Sequence, residues 1–247
     1  MLQTSKMIAA GVLTLTFLGA VPYAVLAEEE VPTADASVAF LSKYVWRGFE
    51  LSDGSMVIQP SITTAYKGFS GNLWGNFDTD YEPAGGQKWN ETDFTLSYDG
   101  SYEKFGYGGG WIYYALDGTD DTQEFYGTVS YDVLLAPTLT IYYDTDHFAG
   151  AWYANLAFSH TFMIAEKYGL DLGLSFGYLD DNEDYNALHN GLLSASMSFP
   201  INKYFAITPE LYWSFPLSND AEDYITAASI SNDDQFIYGG VSASFSF

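Results

Sequence analysis

From residue 36 onward apolar and polar side chains alternate one for one, in runs of about ten to thirteen residues broken by clusters of Gly, Asn, Asp and Pro. Successive side chains of an extended strand point to opposite faces, so this period describes ribbons with one greasy and one polar side. Amphipathic helices, whose apolar positions recur every three to four residues, are excluded as the main element. Twelve runs are legible: 36–47, 55–66, 69–80, 91–99, 104–116, 122–134, 138–146, 151–163, 168–179, 189–199, 204–215 and 235–247. Their length suits a strand that crosses a bilayer at a tilt, and an even count brings the chain back to its starting side. The fold class expected is therefore all-β, a transmembrane antiparallel up-and-down barrel. Ten or fourteen strands are the alternatives, because 104–116 is rich in glycine, 216–234 is long enough to hold another hairpin, and Pro60 and Pro209 interrupt two ladders.

The composition of the two faces separates a membrane barrel from a soluble sandwich. In 168–179 one face carries Tyr168, Leu170, Leu172, Leu174, Phe176 and Tyr178, and the other Gly169, Asp171, Gly173, Ser175 and Gly177. Aromatic residues cap an aliphatic middle, as the two interfacial girdles of a bilayer require. In 235–247, Ile237, Val241, Ala243, Phe245 and Phe247 oppose Gly240, Ser242, Ser244 and Ser246. A water-facing sheet surface favours Lys, Glu and Arg, whereas small polar residues suit a confined wet interior. Trp46, Trp152 and Trp213 read as girdle residues, while Trp74 and Tyr126 fall on the polar, inward side.

The start of the chain reads as an export signal. Lys6 precedes an apolar stretch from Met7 to about Leu26, and Val25-Leu26-Ala27 has the small residues that a signal peptidase needs, so residues 1–27 are expected to be removed after Ala27. Residues 28–247 show no linker or change of composition and read as one domain. Cysteine is absent, which excludes disulfides, thiolate metal sites and a lipoprotein anchor. The formal net charge is −24, which argues against a nucleic-acid partner. An acidic chain poor in aromatics would read as disordered, but 21 Tyr, 18 Phe and 6 Trp require somewhere apolar to go.

Connections alternate in length. Short ones are expected around Lys67-Gly68, Gly100-Ser101, Ala136-Pro137, Glu166-Lys167 and Asn202-Lys203, and longer ones on the opposite rim, with the stretch near His147 to Gly150 as a short exception. Short inner turns and long outer loops are the asymmetry of outer-membrane barrels. Lys67, Lys104, Lys167 and Lys203 fall at the short turns. Asp117, Asp120, Asp121, Asp180, Asp181, Glu183, Asp184, Asp220, Glu222, Asp223, Asp233 and Asp234 fall in the long loops. The partners expected are outer-membrane lipid and lipopolysaccharide, small solutes, and the barrel-assembly machinery, which reads a terminal strand ending in an aromatic such as Phe247. The location expected is the outer membrane of a Gram-negative bacterium.

The stretch 42–77, SKYVWRGFELSDGSMVIQPSITTAYKGFSGNLWGNF, resembles the N-terminal region of the TorF-type porin family of exported barrel proteins. The matching positions are Tyr44, Arg47, Gly48, Ser52, Gln59, Gly68, Phe69, Trp74 and Gly75, about a sixth of the chain. The resemblance implies an outer-membrane location and a channel role, and supplies no substrate.

If the apolar faces meet lipid, parity assigns an inward set: Lys43, Arg47, Gln59, Asn72, Asn76, Asp78, Asp93, Glu124, Asp132, Asp144, Asp171 and Glu210. In a channel, the carboxylates of that set favour cationic or zwitterionic small solutes, with Lys43 and Arg47 as an opposing wall. In a non-conducting barrel serving envelope integrity or surface interaction, the same residues pair across the lumen and plug it. A third class, an outer-membrane lipid hydrolase, needs a nucleophile beside a base. Ser159-His160 and His189-Asn190, with Asp144, Asp146 and His147, are the only material for one, and no catalytic residue is assigned. No cofactor is implied. Asp180-Asp181-Asn182-Glu183-Asp184 is dense in oxygen but lacks the glycine and terminal glutamate of a dedicated calcium loop, so no metal is assigned either.

Overall fold

The computed structural model describes residues 31–80, 87–165 and 168–246. The expected signal peptide, the Glu166-Lys167 turn and Phe247 lie outside the described residues. Twelve strands form the wall: β1 (Thr33–Leu41), β2 (Val57–Tyr66), β3 (Phe69–Asp78), β4 (Trp89–Tyr102), β5 (Phe105–Leu116), β6 (Thr122–Tyr131), β7 (Thr138–Asp144), β8 (Trp152–Ala165), β9 (Tyr168–Asp180), β10 (Asn186–Met197), β11 (Phe205–Pro216) and β12 (Phe236–Ser246). Each pairs antiparallel with its neighbour in sequence, and β1 pairs with β12 from Asp35↔Ser246 to Leu41↔Gly240, which closes the sheet. Closure leaves no long edge, the condition for a sheet to exist in hydrocarbon, where unpaired backbone groups find no water.

The alternation sorts side chains as its period demands. Leu73, Leu96, Val129, Ile141, Leu172, Leu193 and Val241 are exposed on the outer surface and form a continuous apolar belt. On the opposite parity, Ser37, Thr63, Ser70, Ser97, Thr128, Thr140, Ser194 and Ser242 are half-buried in the lumen. Among the described residues no helix is long and apolar enough to cross a membrane.

Both prolines sit where the ladder releases them. The β2–β3 pairing omits Pro60 between Ile58↔Phe77 and Ser61↔Trp74, and Pro60 is paired only with Val38 of β1. Pro209 lies one residue past the last β10–β11 pair, Ser196↔Glu210. Neither position asks proline for the N–H that it lacks.

Several boundaries differ from expectation. The first strand ends at Leu41, not 47; the chain then turns into the barrel mouth and makes a small ladder, Val45–Trp46 with Phe49–Glu50. Lys43, Arg47 and Trp46 therefore belong to this inserted loop, and Trp46 is a buried plug residue rather than a girdle residue. The turn expected at Gly100-Ser101 falls at Glu103-Lys104, because the β4–β5 ladder runs on to Tyr102↔Phe105. β6 stops at Tyr131, which puts Asp132 in the following connection, exposed to solvent. The stretch 216–234 holds no extra hairpin but a helix, α1 (Asn219–Ala228), capped by Ser218, whose hydroxyl accepts from the Ala221 N–H at 3.1 Å. Asp220 and Glu222 in its first turn complement the helix dipole.

The rims differ in charge. Lys67, Lys104 and Lys203 occupy connections on one rim, and the acidic loop residues from Asp117 to Asp234 occupy the other, the outer rim.

Candidate functional site

The lumen divides in two along its length. Toward the inner rim it is lined by small polar side chains and by Asn72, Asp171 and Glu210, all half-buried. Asn72 donates to Ser61 and Thr63 at 2.8 Å each, Asp171 accepts from Thr161 at 2.5 Å, and Glu210 accepts from Tyr212 at 2.8 Å. Toward the outer rim the inward positions are large and buried, and residues 42–56 with α1 pack between them.

The plug is held through its tip. Arg47 and Gly48 make the turn with φ of 45° and 92°. The positive φ favours glycine at position 48, and an added Cβ would press on Asn190 Cβ at 3.0 Å and Ile225 Cδ1 at 3.1 Å. The turn aims Arg47 at the wall, where both terminal nitrogens donate to the two oxygens of Glu124 at 2.7 Å. The guanidinium also lies over Trp46 (4.3 Å), Tyr142 (4.6 Å) and Tyr153 (4.6 Å), and Tyr114 donates to Glu124 at 2.8 Å. A fork-to-fork pair with stacked aromatic faces is the geometry for which Arg exceeds Lys.

Four further residues, Lys43, Tyr44, Phe49 and Glu50, fix the rest of the loop. Lys43 is ion-paired with the buried Glu50. Tyr44 donates its hydroxyl to Glu91 at 2.9 Å, and its backbone N–H to Ser52 at 2.8 Å. Glu50 bridges to the end of α1, its N–H donating to Ser229 Oγ at 3.2 Å and its carbonyl accepting from the Ile230 N–H at 3.1 Å. Phe49 packs against His189 (4.9 Å between ring centroids) and Tyr224 (6.0 Å). The two longest outer loops thus form a single plug.

At the outer rim Tyr185 stacks on Tyr224, with centroids 3.9 Å apart and planes at 10°. Tyr224 donates to Asp181 at 3.1 Å, and Tyr185 shares a 2.7 Å hydrogen bond with His189 Nδ1. Burial, then the charge of nearby carboxylates, raises both phenols above the ordinary tyrosine range: Asp220 and Asp181 act on Tyr185, and Asp181 on Tyr224. Both therefore stay protonated donors at neutral pH.

Of the other inward residues, Gln59 donates to Asn76 at 3.1 Å, and Asn76 to Asn90 at 2.7 Å. Asp78 accepts from the Asp80 N–H at 3.0 Å. Asp93 is buried opposite Trp74 and Tyr114 in the register. Asp144 accepts from Thr122 at 2.6 Å and from the N–H groups of Asp146 and Phe148. Lys43 and Arg47 do not form a basic wall across from these acids, since each is bonded to a carboxylate. Parity missed Glu50 and Glu91 as interior carboxylates, although Glu91 stands two residues before Asp93 in the same strand and was open to the same reasoning.

The material for a hydrolase does not assemble. Ser159 faces the lumen, while His160 faces outward and bonds to the Leu134 carbonyl at 2.9 Å. His189 meets Tyr185 rather than a nucleophile. In the acidic stretch 180–184, the Asp181 carboxylate accepts from the Glu183 and Tyr185 N–H groups, a turn-forming role. Among the described residues no group of three or more His, Asp or Glu side chains is arranged to hold a metal ion.

No protein-family model matches this chain, and no curated protein does either. Solved structures do. The KdgM porin in complex with disordered oligogalacturonate is similar with a TM-score of 0.54 at 12% identity, covering 87% of this chain and 99% of that one. The NanC porin is similar with a TM-score of 0.52 at 11% identity, covering 86% and 98%. At such identities the likeness is one of fold alone.

Proposed function

We propose that this chain is a small passive channel of the Gram-negative outer membrane that favours small cationic or zwitterionic solutes. The reading adds that residues 1–27 are removed on export, that the terminal strand engages the barrel-assembly machinery, and that the acidic outer loops face lipopolysaccharide. It keeps the TorF-type resemblance of residues 42–77 as a proposed kinship. One observation carries the preference for cations. Asp171 and Glu210 line the water-accessible half of the lumen, while Lys43 and Arg47, the bases of the inward set, are both bonded to carboxylates. The interior field is therefore negative, and a confined low-dielectric wall strengthens it. The oligogalacturonate in the KdgM porin structure is an acidic ligand, and this interior argues against the same solute here.

The packing of the outer half favours a second reading, a barrel that does not conduct. Single-channel recording of the refolded protein in planar bilayers separates the two. Discrete steps that persist when Arg47→Ala loosens the plug support the channel. A silent wild type that also stays silent as Arg47→Ala supports the closed barrel and rejects the channel.

A further inference from the structure

The wall that receives Arg47 is organised without help from the plug. Four side chains from successive strands form it: Tyr114 of β5, Glu124 of β6, Tyr142 of β7 and Tyr153 of β8, each 5% exposed or less. Tyr142 and Tyr153 are partners in the β7–β8 ladder, with ring centroids 6.3 Å apart. Tyr153 donates its hydroxyl to Asn190 at 2.9 Å, and Tyr114 donates to Glu124 at 2.8 Å. None of these ties runs through residues 42–56. The result is a buried carboxylate flanked by flat aromatic faces, with both of its oxygens engaged at 2.7 Å by one guanidinium. An ammonium ion has no plane and no fork, so it matches neither the paired oxygens nor the rings as well.

The backbone that delivers Arg47 is the second observation. Arg47 and Gly48 are the two residues between the paired Trp46 and Phe49, and both have positive φ, 45° and 92°. A two-residue hairpin of that kind favours Asn, Asp or Gly at its first position, and the left-handed region is costly for a long side chain. Local structure therefore gives no reason for arginine at this turn, whereas the Glu124 site does. The hairpin has only two ladder pairs, Val45↔Glu50 and Trp46↔Phe49, in a sheet separate from the barrel. Its tip can leave Glu124 without unpairing any strand of the wall.

We propose that Tyr114, Glu124, Tyr142 and Tyr153 form a receptor for a guanidinium group, and that Arg47 fills it from within the chain in place of a small solute bearing that group. A guanidinium solute that takes Glu124 displaces Arg47 and frees the tip of the plug. Without Arg47, Glu124 is a buried charge that favours any cation of matching shape. In the intact chain the tether gives Arg47 a high effective concentration, so a solute displaces it only when abundant. The inference deepens the channel reading and rests on it for passage of the solute, while the binding step stands apart from conduction.

The test is a titration of the tryptophan fluorescence of the full chain in detergent at constant ionic strength, since Trp46 lies against the guanidinium. Methylguanidinium is the probe; methylammonium supplies the charge without the fork, and urea the fork without the charge. In Arg47→Ala, methylguanidinium is expected to saturate at millimolar concentration, with methylammonium and urea each at least about tenfold weaker. Adding Glu124→Gln to Arg47→Ala should abolish that preference. The wild type should need at least about tenfold more methylguanidinium, with the same order of probes. Equal responses to methylguanidinium and methylammonium, no saturation in either protein, or a preference that survives Glu124→Gln overturns the receptor. Equal affinity in the wild type and Arg47→Ala overturns its occupation by Arg47. If Arg47→Ala loses its unfolding transition, the order of the three probes on the wild type decides alone. Selective binding without conductance in planar bilayers would reject the channel and keep the receptor, and conductance without selective binding would do the reverse.

Discussion

Arg47 and Glu124, 77 positions apart in sequence, meet through two hydrogen bonds of 2.7 Å, one from each terminal guanidinium nitrogen. This pair ties a loop of the outer mouth to the wall of the barrel. Both side chains are less than a tenth exposed, so the pair is shielded from water.

Removing one partner strands the other. Arg47→Ala is expected to destabilise the protein by about 3–5 kcal/mol, because Glu124 is then a buried charge without its counterion. Arg47→Lys should recover only part of that loss, since a lysine cannot match both oxygens or stack on three rings. Urea unfolding in lipid vesicles measures both. A loss below 1 kcal/mol for Arg47→Ala would mean that the pair does not anchor the plug.

Two glycines with positive φ should respond differently to alanine. At Gly48 the φ of 92° combines with contacts at 3.0 and 3.1 Å, whereas at Gly54 the φ is 62° and nothing lies within 4 Å. Gly54→Ala is expected to cost about 1 kcal/mol, the left-handed penalty alone. Gly48→Ala should cost more, about 2–4 kcal/mol, by adding overpacking against Asn190 and Ile225. Equal unfolding midpoints would contradict the close approach of the plug to the wall.

Neighbours on one strand report which face meets lipid. Leu96 is 49% exposed on the apolar belt, and Ser97 lies on the luminal parity beside it. Leu96→Arg is expected to cost about 2–4 kcal/mol if it sits near the bilayer midplane, while Ser97→Arg should cost little and shift ion preference toward anions. The opposite ranking in vesicle unfolding would invert the two faces.

Alkaline stability should follow Tyr185 and Tyr224. Their folded values are raised above the ordinary tyrosine value of about 10, so the folded state holds protons that the unfolded state has released. The stabilisation is complete below pH about 10 and falls as pH rises from there through the folded values. Tyr185→Phe and Tyr224→Phe should flatten the decline between pH 10 and 12. An unchanged slope in the double variant would assign the decline to other groups.

The wall of this molecule was legible because a two-residue period in the sequence is a direct record of which face is greasy. Asn72, Asn76, Asp78, Asp93, Glu124, Asp144, Asp171 and Glu210 all lie on the luminal parity that the alternation assigns. The plug was not legible for the same reason. Residues 42–47 continue the alternation of β1 by one more turn of the pattern, so Lys43 and Arg47 read as strand residues. What holds the segment in the mouth is the Arg47-Gly48 turn and the contacts of Phe49 and Glu50 with α1 and the residues just after it, which are distant in sequence. The helix itself carried a local signal: Ser218 followed by Asp220 and Glu222 is a capped acidic start. Asp132 was misplaced by the continuing apolar residues Val133 to Leu135, which extend the pattern past the point where β6 loses its partners.

The direct test of the central claim is the reversal potential of the wild-type protein in a planar bilayer under a potassium chloride gradient. An interior dominated by Asp171, Glu210 and their neighbours predicts reversal toward the potassium equilibrium potential, with Asp171→Asn and Glu210→Gln each moving it back toward zero. Reversal toward the chloride potential, or a value unmoved by both substitutions, would contradict the account.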